Sequence, residues 1–241
     1  MKLQFCTWPE IEAFLKSSQT IVVPIGSTEQ HGPTGMIGTD ALCPEIVADG
    51  MAERETLLIG PTLSIGMAQH HLAFPGSISF RPTTLIQVVR DVVTSLAGHG
   101  FRRIFFLNGH GGNIATVQAA FSEIWAESSF AGADSGLHLQ LHNWFLGPRV
   151  TRLSKSLFGD DDGSHATASE ISLVLAGYPE AARDAALLSK GKPPSGSIRD
   201  ARDFRRQHPD GRMGALSGLA TAEHGRRLRD AAVEDALEAL K

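Results

Sequence analysis

The chain has 241 residues, of which 42% are hydrophobic and 20% are charged, a composition typical of globular proteins and not of disordered or membrane-spanning chains. Its 22 Lys and Arg stand against 26 Asp and Glu, and the formal net charge of −4 argues against nucleic acid or a membrane as a partner. No internal repeat or domain boundary is visible. We therefore expect one domain over residues 1–241 that acts on a small molecule.

Cysteine is scarce and histidine is abundant. Cys6 and Cys43 alone form neither a disulfide framework nor a cysteine-rich zinc site. The first residues also lack the apolar core of a secretory signal, so we expect a cytoplasmic protein. By contrast, 25 glycines and 10 histidines indicate tight loops around imidazole chemistry. A chain of this size folds without a structural metal, so a bound metal would serve chemistry.

The first predicted elements alternate between strands and helices. Residues 20–25 form a run rich in β-branched side chains that ends at Gly26 and predicts a buried strand. A glycine-rich loop follows, and a helix is expected from Asp40 to about residue 54, with Pro44 tolerated in its first turn. A second strand is predicted over 56–60.

The middle of the chain repeats this alternation. Residues 61–81 are interpreted as an ordered loop, and apolar residues at helical spacing predict a helix from Pro82 that stops at Gly100. The next elements in order are a strand over 103–107, a helix over 114–128 and a strand over 137–145.

Strands that alternate with helices in this way predict an α/β fold, a three-layer α/β/α arrangement with a mostly parallel central sheet. Ligands of such sheets bind beyond the carboxyl ends of the strands. After the last strand, a polar loop over 159–170 leads into a helix. Residues beyond 186 suggest a surface excursion, and a final helix is expected over 219–241.

Three loops at the expected strand ends carry groups that could bind a metal. In the first loop, Glu29 and His31 lie two residues apart, on the same face of an extended segment, and glycines turn the chain so that Asp40 can return to them. The second loop places His110 among three glycines, and the third offers His165 and Glu170 at the start of a helix.

Two histidines and three carboxylates from these loops form a mixed nitrogen and oxygen ligand set. The candidate metal ligands are Glu29, His31, Asp40, His110 and Glu170. Such a set suits Zn²⁺, Fe²⁺ or Mn²⁺ and is one ligand too many for a closed tetrahedral site. If Asp40 binds two ions at once, the set fits two ions about 3.5–4 Å apart. A water shared by such ions becomes a hydroxide nucleophile near neutral pH.

Each candidate residue also has a structural interpretation. Asp40 could cap a helix, Glu170 could be stabilised by a helix N-terminus, and His165 could cap the same helix. Hydrolysis through Ser27 or Ser164 is a further alternative, but no G-x-S-x-G motif supports it. The Gly-rich loop is not a dinucleotide site, because the third glycine of that fingerprint is absent.

Four segments in order, GSTEQHGPTGMIGTD, FPGSIS, NGHGGN and SHATASEISL, resemble successive signatures of the creatininase family of metal-dependent amidohydrolases. A later segment, LATAEHGRRL, resembles the family's C-terminal helix. The resemblance implies a three-layer fold, a homo-oligomer such as a hexamer, and two metal ions that open C–N bonds. It also implies that Glu29, Asp40 and His110 hold one ion, and that His31, Asp40 and a further carboxylate hold the second.

One position departs from the pattern of creatinine-opening members. Their last carboxylate ligand lies two residues after the loop histidine, where this chain has Gly112. Members with NGHGGN, which include a formamide hydrolase and a peptide-trimming enzyme, take it from the helix after the SHA segment, which corresponds to Glu170. His165 resembles the family's catalytic histidine, and we expect His165 and Glu29 to be the catalytic residues.

Three residues are expected to contact substrate, namely Gly111, Trp144 and His71, although Trp144 could be core and His71 a buried structural histidine. Five further histidines are interpreted as surface or structural, namely His70, His99, His138, His208 and His224. An arginine-rich stretch could bind a substrate anion, but we favour a solvated surface because acidic residues alternate with the arginines. It comprises Arg199, Arg202, Arg205, Arg206 and Arg212.

The leading hypothesis is a hydrolase with two divalent ions, Zn²⁺ being favoured over Fe²⁺ and Mn²⁺, that cleaves a cyclic amide, a formamide or a small peptide-like substrate. A non-catalytic metal-binding or assembly protein and a true creatinine amidohydrolase are the alternatives.

Overall fold

A computed structural model describes residues 1–196 and 198–241. Its centre is a three-stranded parallel sheet in the order β1, β2, β3. The strands are β1 (Thr20–Ile25), β2 (Arg103–Asn108) and β3 (His138–Asn143). All three match predicted strands to within two residues, because an apolar run with turn residues at its end is a strong local signal.

Eight α-helices surround this sheet in the described part of the chain. They are α1 (Trp8–Leu15), α2 (Thr39–Arg54), α3 (Pro82–Gly98), α4 (Asn113–Phe130), α5 (Pro148–Phe158), α6 (Ala168–Gly177), α7 (Ala201–Gln207) and α8 (Ala222–Leu240). In the described residues, no helix is both long enough and apolar enough to cross a membrane.

Two hydrophobic clusters lie on opposite faces of the sheet. Val22 and Phe105 point into a cluster with side chains of α2, α5, α6 and α8. Their neighbours Val23 and Phe106 point into the other cluster, with side chains of α1, α3 and α4. This alternation is what a pleated strand buried on both faces requires. The expected three-layer α/β/α architecture is therefore confirmed.

The predicted strand over 56–60 is wrong. Ile59 forms only isolated parallel bridges to Lys2 and Val22. Val22 donates to the carbonyl of Leu58 at 3.0 Å and accepts from the N–H of Gly60 at 2.7 Å, so this segment does lie beside β1. Pro61 follows directly and has no N–H to continue the ladder.

The segment beyond residue 186 is more ordered than the sequence indicates. Asp200 accepts hydrogen bonds from the N–H groups of Arg202 and Asp203, both at 2.9 Å, and thereby caps α7. Arg212 was expected on the surface, but it is only 1% exposed. Its guanidinium pairs with Asp210 at 2.8 Å within the segment, and its neighbours Gly211 and Met213 hydrogen-bond to Gln30 and His165, so the segment folds onto the body of the protein.

Candidate metal centre and active site

The ends of β1 and β2 meet the first turn of α2. Gly26 and Gly109 follow these strands, and a Cβ atom on either would lie 2.1 or 2.0 Å from the Asp40 carbonyl oxygen. Only glycine permits this approach, because a methyl group would overlap the helix backbone. Both strand ends are thereby held against Asp40, and their loops bring Glu29 and His110 to the same place.

Glu29, Asp40 and His110 form one group whose ligand atoms lie within 4.8 Å of one another. His110 Nδ1 is 2.9 Å from Asp40 Oδ2, and His110 Nε2 is 3.3 Å from Glu29 Oε2. All three residues are buried. This is the set that the resemblance assigns to the first ion.

His31, Asp40 and Glu170 form a second group of the same dimensions. His31 Nε2 lies 3.1 Å from Asp40 Oδ1 and 3.9 Å from Glu170 Oε2. Asp40 therefore turns one carboxylate oxygen to each group. The structure brings all five predicted ligands together, in an arrangement in which Asp40 can bridge two ions.

Buried carboxylate oxygens without hydrogen bonds show that these residues fit a cation. Among the residues that the structure describes, none donates a hydrogen bond of normal geometry to Glu29 Oε1 or Asp40 Oδ2. Histidine nitrogens lie close to both, His71 Nε2 at 3.0 Å and His110 Nδ1 at 2.9 Å, but not in hydrogen-bonding directions. Leaving a buried carboxylate oxygen unsatisfied is costly, and a divalent cation in this cluster would satisfy both oxygens.

Capping explains little of this arrangement. The residue that precedes α2 is Gly38, and Asp40 makes no capping bond there. Thr167, not His165, caps α6, and Glu170 completes a capping box by accepting the Thr167 N–H at 2.5 Å with Oε1. This bond leaves Glu170 Oε2 turned toward His31, so Glu170 serves its helix and faces the cluster at once.

Further hydrogen bonds orient the ligands. Ser27 Oγ, weighed above as a nucleophile, is buried and donates to Glu29 Oε2 at 2.7 Å. His31 Nδ1 lies 3.1 Å from the Glu29 carbonyl oxygen, so its proton belongs there and Nε2 faces the cluster. In the described part of the chain, no histidine hydrogen-bonds to the hydroxyl of Ser27 or Ser164.

The charges of the cluster shift its pKa values strongly. Burial lowers the pKa of His31, but Asp40, Glu170 and Glu29 outweigh it and raise that pKa to about 10. Burial also lowers the pKa of His110, but Glu29 and Asp40 outweigh it and raise that pKa to about 9. Burial raises the pKa of Glu170 to about 7. Before a metal binds, both histidines therefore carry protons that the carboxylates attract.

His165 approaches the cluster from the third loop. Its Nδ1 lies 3.8 Å from Glu29 Oε1, and its Nε2 lies 2.8 Å from the carbonyl oxygen of Gln30. Burial, reinforced by His31 and His71, holds the pKa of His165 well below its usual range. Ala166, the next residue, has a φ of 55°, a backbone conformation that residues other than glycine rarely adopt. Its surroundings must therefore hold the backbone there.

A cavity of about 500 Å³ opens onto the cluster. Gly111, Trp144 and His71, the predicted substrate contacts, all line it. Trp144 is 1% exposed and also belongs to the core, and its indole Nε1 has no partner among the described residues. His70, interpreted above as surface or structural, also lines the cavity.

The family model described as "Creatininase: Creatinine amidohydrolase" matches residues 4–240. The chain belongs to the creatininase family. Creatinine amidohydrolase of Pseudomonas putida is 32% identical over 183 residues, which cover 72% of this chain and 70% of that protein. The mycofactocin precursor peptide peptidase of Mycobacterium tuberculosis (strain CDC 1551 / Oshkosh) is 34% identical over 126 residues, 48% of this chain and 50% of the peptidase.

Solved creatininase structures superpose over nearly the whole chain. A crystal structure of creatinine amidohydrolase has a TM-score of 0.87 at 26% identity and covers 99% of this chain and 95% of that one. A creatininase described as "Mn" has a TM-score of 0.87 at 26% identity, with 99% and 96% covered. A mutant creatininase of "Zn-Zn type" has a TM-score of 0.85 at 25% identity, with the same coverage. These relatives and the cluster support divalent metal binding by this family member.

Proposed function

We propose that this chain is a hydrolase that uses two divalent ions to cleave a carbon–nitrogen amide bond of a small molecule. The observation that carries this proposal is Asp40, whose two carboxylate oxygens each face a different three-residue ligand group. Two ions so placed would polarise an amide carbonyl and activate a water near neutral pH. Zn²⁺ is the favoured ion, with Fe²⁺ and Mn²⁺ as alternatives.

The metal ligands proposed for this chain differ from those of creatinine-opening members at one position. An ideal Cβ atom on Gly112 would lie 2.4 Å from His110 Nε2 and 2.6 Å from the Met67 carbonyl oxygen. A carboxylate side chain at position 112 would therefore displace His110. Glu170 supplies the missing carboxylate from α6, so creatinine is not the first substrate we expect.

Proton transfer is the proposed role of His165. Its Nε2 hydrogen-bonds to the Gln30 carbonyl, which leaves Nδ1 directed to the Glu29 side of the site. Nδ1 can take a proton when water attacks the carbonyl and return it to the leaving nitrogen. A low pKa keeps His165 neutral at neutral pH before that transfer.

The cavity limits the substrate to a small molecule or the end of a peptide. Its volume is about 500 Å³, and its walls include Phe145, Leu146 and Met213. Trp144 and the backbone of Gly111, which both line the cavity, are the contacts we propose for the substrate. A lactam, a formamide or a small peptide-like amide meets these limits.

Metal removal and restoration test the proposal. We expect the purified protein to bind about two equivalents of zinc or another divalent ion and to hydrolyse at least one member of a panel of lactams, formamides, creatinine and short peptides. Removing the metal with a chelator should abolish turnover, and adding it back should restore turnover. Turnover that survives complete metal removal would reject the proposal.

A matched pair of variants isolates the ligand chemistry. Glu29→Gln replaces a buried carboxylate that faces three histidines, and we expect turnover to fall by about 10³-fold or more with loss of bound metal. Glu123→Gln makes the same change on the exposed face of α4 and should retain wild-type turnover and metal content. Equal metal content in both variants would contradict the assignment of Glu29.

A further inference from the structure

Gln30 lies between two candidate ligands, Glu29 and His31, and its own side chain is 6% exposed. The amide nitrogen Nε2 is 2.9 Å from His71 Nδ1, from His165 Nε2 and from the Gly211 carbonyl oxygen. The backbone carbonyl of Gln30 also contacts His165 Nε2, at 2.8 Å. One buried amide thus touches His71 and His165, which lie outside the two proposed ligand groups.

Two backbone groups fix the orientation of this amide. Gln30 Oε1 accepts the N–H of Gly32 at 2.8 Å, and Nε2 donates to the carbonyl of Gly211. Exchanging the amide oxygen and nitrogen would set two acceptors against each other at Gly211 and two donors at Gly32. The NH₂ group must therefore face the two histidines.

The hydrogens of that NH₂ group determine where each histidine holds its proton. One hydrogen goes to Gly211 and the other to His71 Nδ1, so His71 carries its own proton on Nε2. No amide hydrogen remains for His165 Nε2, which instead donates its proton to the Gln30 carbonyl. The bare nitrogen of neutral His165 is then Nδ1, which faces Glu29.

We propose that Gln30 is a positioning residue that holds His71, through its side-chain amide, and His165, through its backbone carbonyl, in their Nε2–H tautomers, so that His165 presents an unprotonated Nδ1 to the reacting centre. The kinetic consequence rests on the hydrolase proposed above. The tautomers themselves can be measured without turnover.

Glutamine suits this position in both size and polarity. An ideal Cβ on Gly211 would lie 1.8 Å from Gln30 Oε1, so the amide packs directly against the backbone of Gly211. Glutamate has the same shape but offers only acceptors to Gly211 and to His71 Nδ1. Methionine has a similar volume and offers no donor. Both substitutions remove the donor and keep the packing.

Nuclear magnetic resonance of ¹⁵N-histidine in zinc-loaded protein tests the assignment directly. Wild-type spectra should show a protonated Nε2 and a bare Nδ1 for His71 and His165, with signals assigned by their absence in His71→Gln and His165→Gln. In Gln30→Glu, His71 should gain a proton on Nδ1. In Gln30→Met, which adds no charge and remains informative if the glutamate variant fails to fold, His71 should populate both tautomers.

Steady-state kinetics gives the second measurement. Because a changed tautomer of His71 removes the Nε2–H that faces Glu29 Oε1, we expect both Gln30 variants to lower kcat by about 10-fold to 100-fold while KM changes little and zinc content stays at the wild-type level. Gln118→Glu, on the exposed face of α4, is the control for the added charge and should match wild type.

Two results would overturn the inference. One is wild-type tautomers in both Gln30 variants, and the other is altered tautomers with an unchanged kcat. If the wild-type protein hydrolyses no amide, the proposed function fails, but the tautomer spectra still decide whether Gln30 positions the two histidines.

Discussion

Asp40 is the residue on which both candidate metal positions depend. It lies in the first turn of α2, a place where carboxylates commonly stabilise a helix, yet its oxygens face His31 and His110 instead of the helix N–H groups. Burial opposes its ionisation, and the two histidines outweigh burial and hold the pKa of Asp40 well below its usual range. The histidines thus keep the Asp40 carboxylate charged before any metal binds.

Metal affinity should depend steeply on pH. The pKa values of His31 and His110, about 10 and about 9, lie above neutrality, so both residues are protonated in the metal-free protein. A metal must displace these protons, and its affinity should therefore rise with pH until about pH 9–10 and fall as pH decreases. Competition with a zinc chelator from pH 6 to 10 measures this dependence, after correction for the chelator's own protonation.

Proton release provides an independent check of the same prediction. Calorimetric titration at pH 7.5 in buffers of different ionisation enthalpy should show about two protons released when the site fills. An affinity that stays constant between pH 7 and 9, with no proton release, would contradict the raised histidine pKa values.

The sequence predicted the five candidate ligands but not the residues that hold them. Glu29, His31 and Asp40 are recognisable because their types and spacing lie within one loop. Gln30 is not, because its amide acts on Gly211, which lies 181 residues away along the chain. Ser27 could be considered as a nucleophile from the sequence, because its hydrogen bond to Glu29 is visible only in three dimensions.

At the scale of elements, the site depends on how closely β1, β2 and α2 approach one another. Gly109 packs on the Asp40 carbonyl, whereas an ideal Cβ on Gly111, two residues later, would have no neighbour within 4 Å. The two positions in the same loop therefore differ in the space available to a side chain.

This difference predicts contrasting effects of alanine. Gly109→Ala should reduce the free energy of unfolding by about 1–3 kcal/mol and weaken zinc binding, because the methyl group must push α2 away from β2. Gly111→Ala should leave stability and bound zinc unchanged within error. Urea unfolding and metal analysis of both proteins check the prediction, and equal stabilities would show that the approach of α2 is not tight.

Prediction of elements succeeded where local signals sufficed. β2 and α3 follow from an apolar run and from apolar residues at helical spacing. The predicted strand over 56–60 was wrong because Pro61, which has no N–H, interrupts the pairing with β1, which continues only at Leu63. α7 was not predicted because Phe204 is the only large apolar residue in ARDFRRQ, and one apolar residue makes no periodic pattern. Its contact with His71 is visible only in the structure.

At the scale of the whole molecule, the segment that contains α7 lies against the body of the protein, and Arg212 is buried where the two meet. The aliphatic part of this side chain lies against Gly32, and its guanidinium contacts Asp210, Ser189 and the carbonyl of Ala215. Arg212 is 1% exposed, and a buried charge costs free energy unless it is paired. These contacts therefore stabilise the segment.

Arg212→Ala should lower the free energy of unfolding by about 2–4 kcal/mol and expose the chain around residue 190 to proteases. Arg205→Ala, which removes an exposed arginine over the ring of Phe74, should cost less than about 1 kcal/mol. Urea denaturation and limited proteolysis compare the two variants. Equal losses would mean that Arg212 does not fasten the segment.

The proposed ligands come from loops and helix starts between residues 29 and 170. During synthesis, an N-terminal fragment that ends before α6 contains Glu29, His31, Asp40 and His110 but lacks Glu170. Such a fragment could complete only the first ligand group. Tight retention of a second ion would therefore mark a finished chain, and the metal content of a preparation would report how much of the protein has reached its native topology.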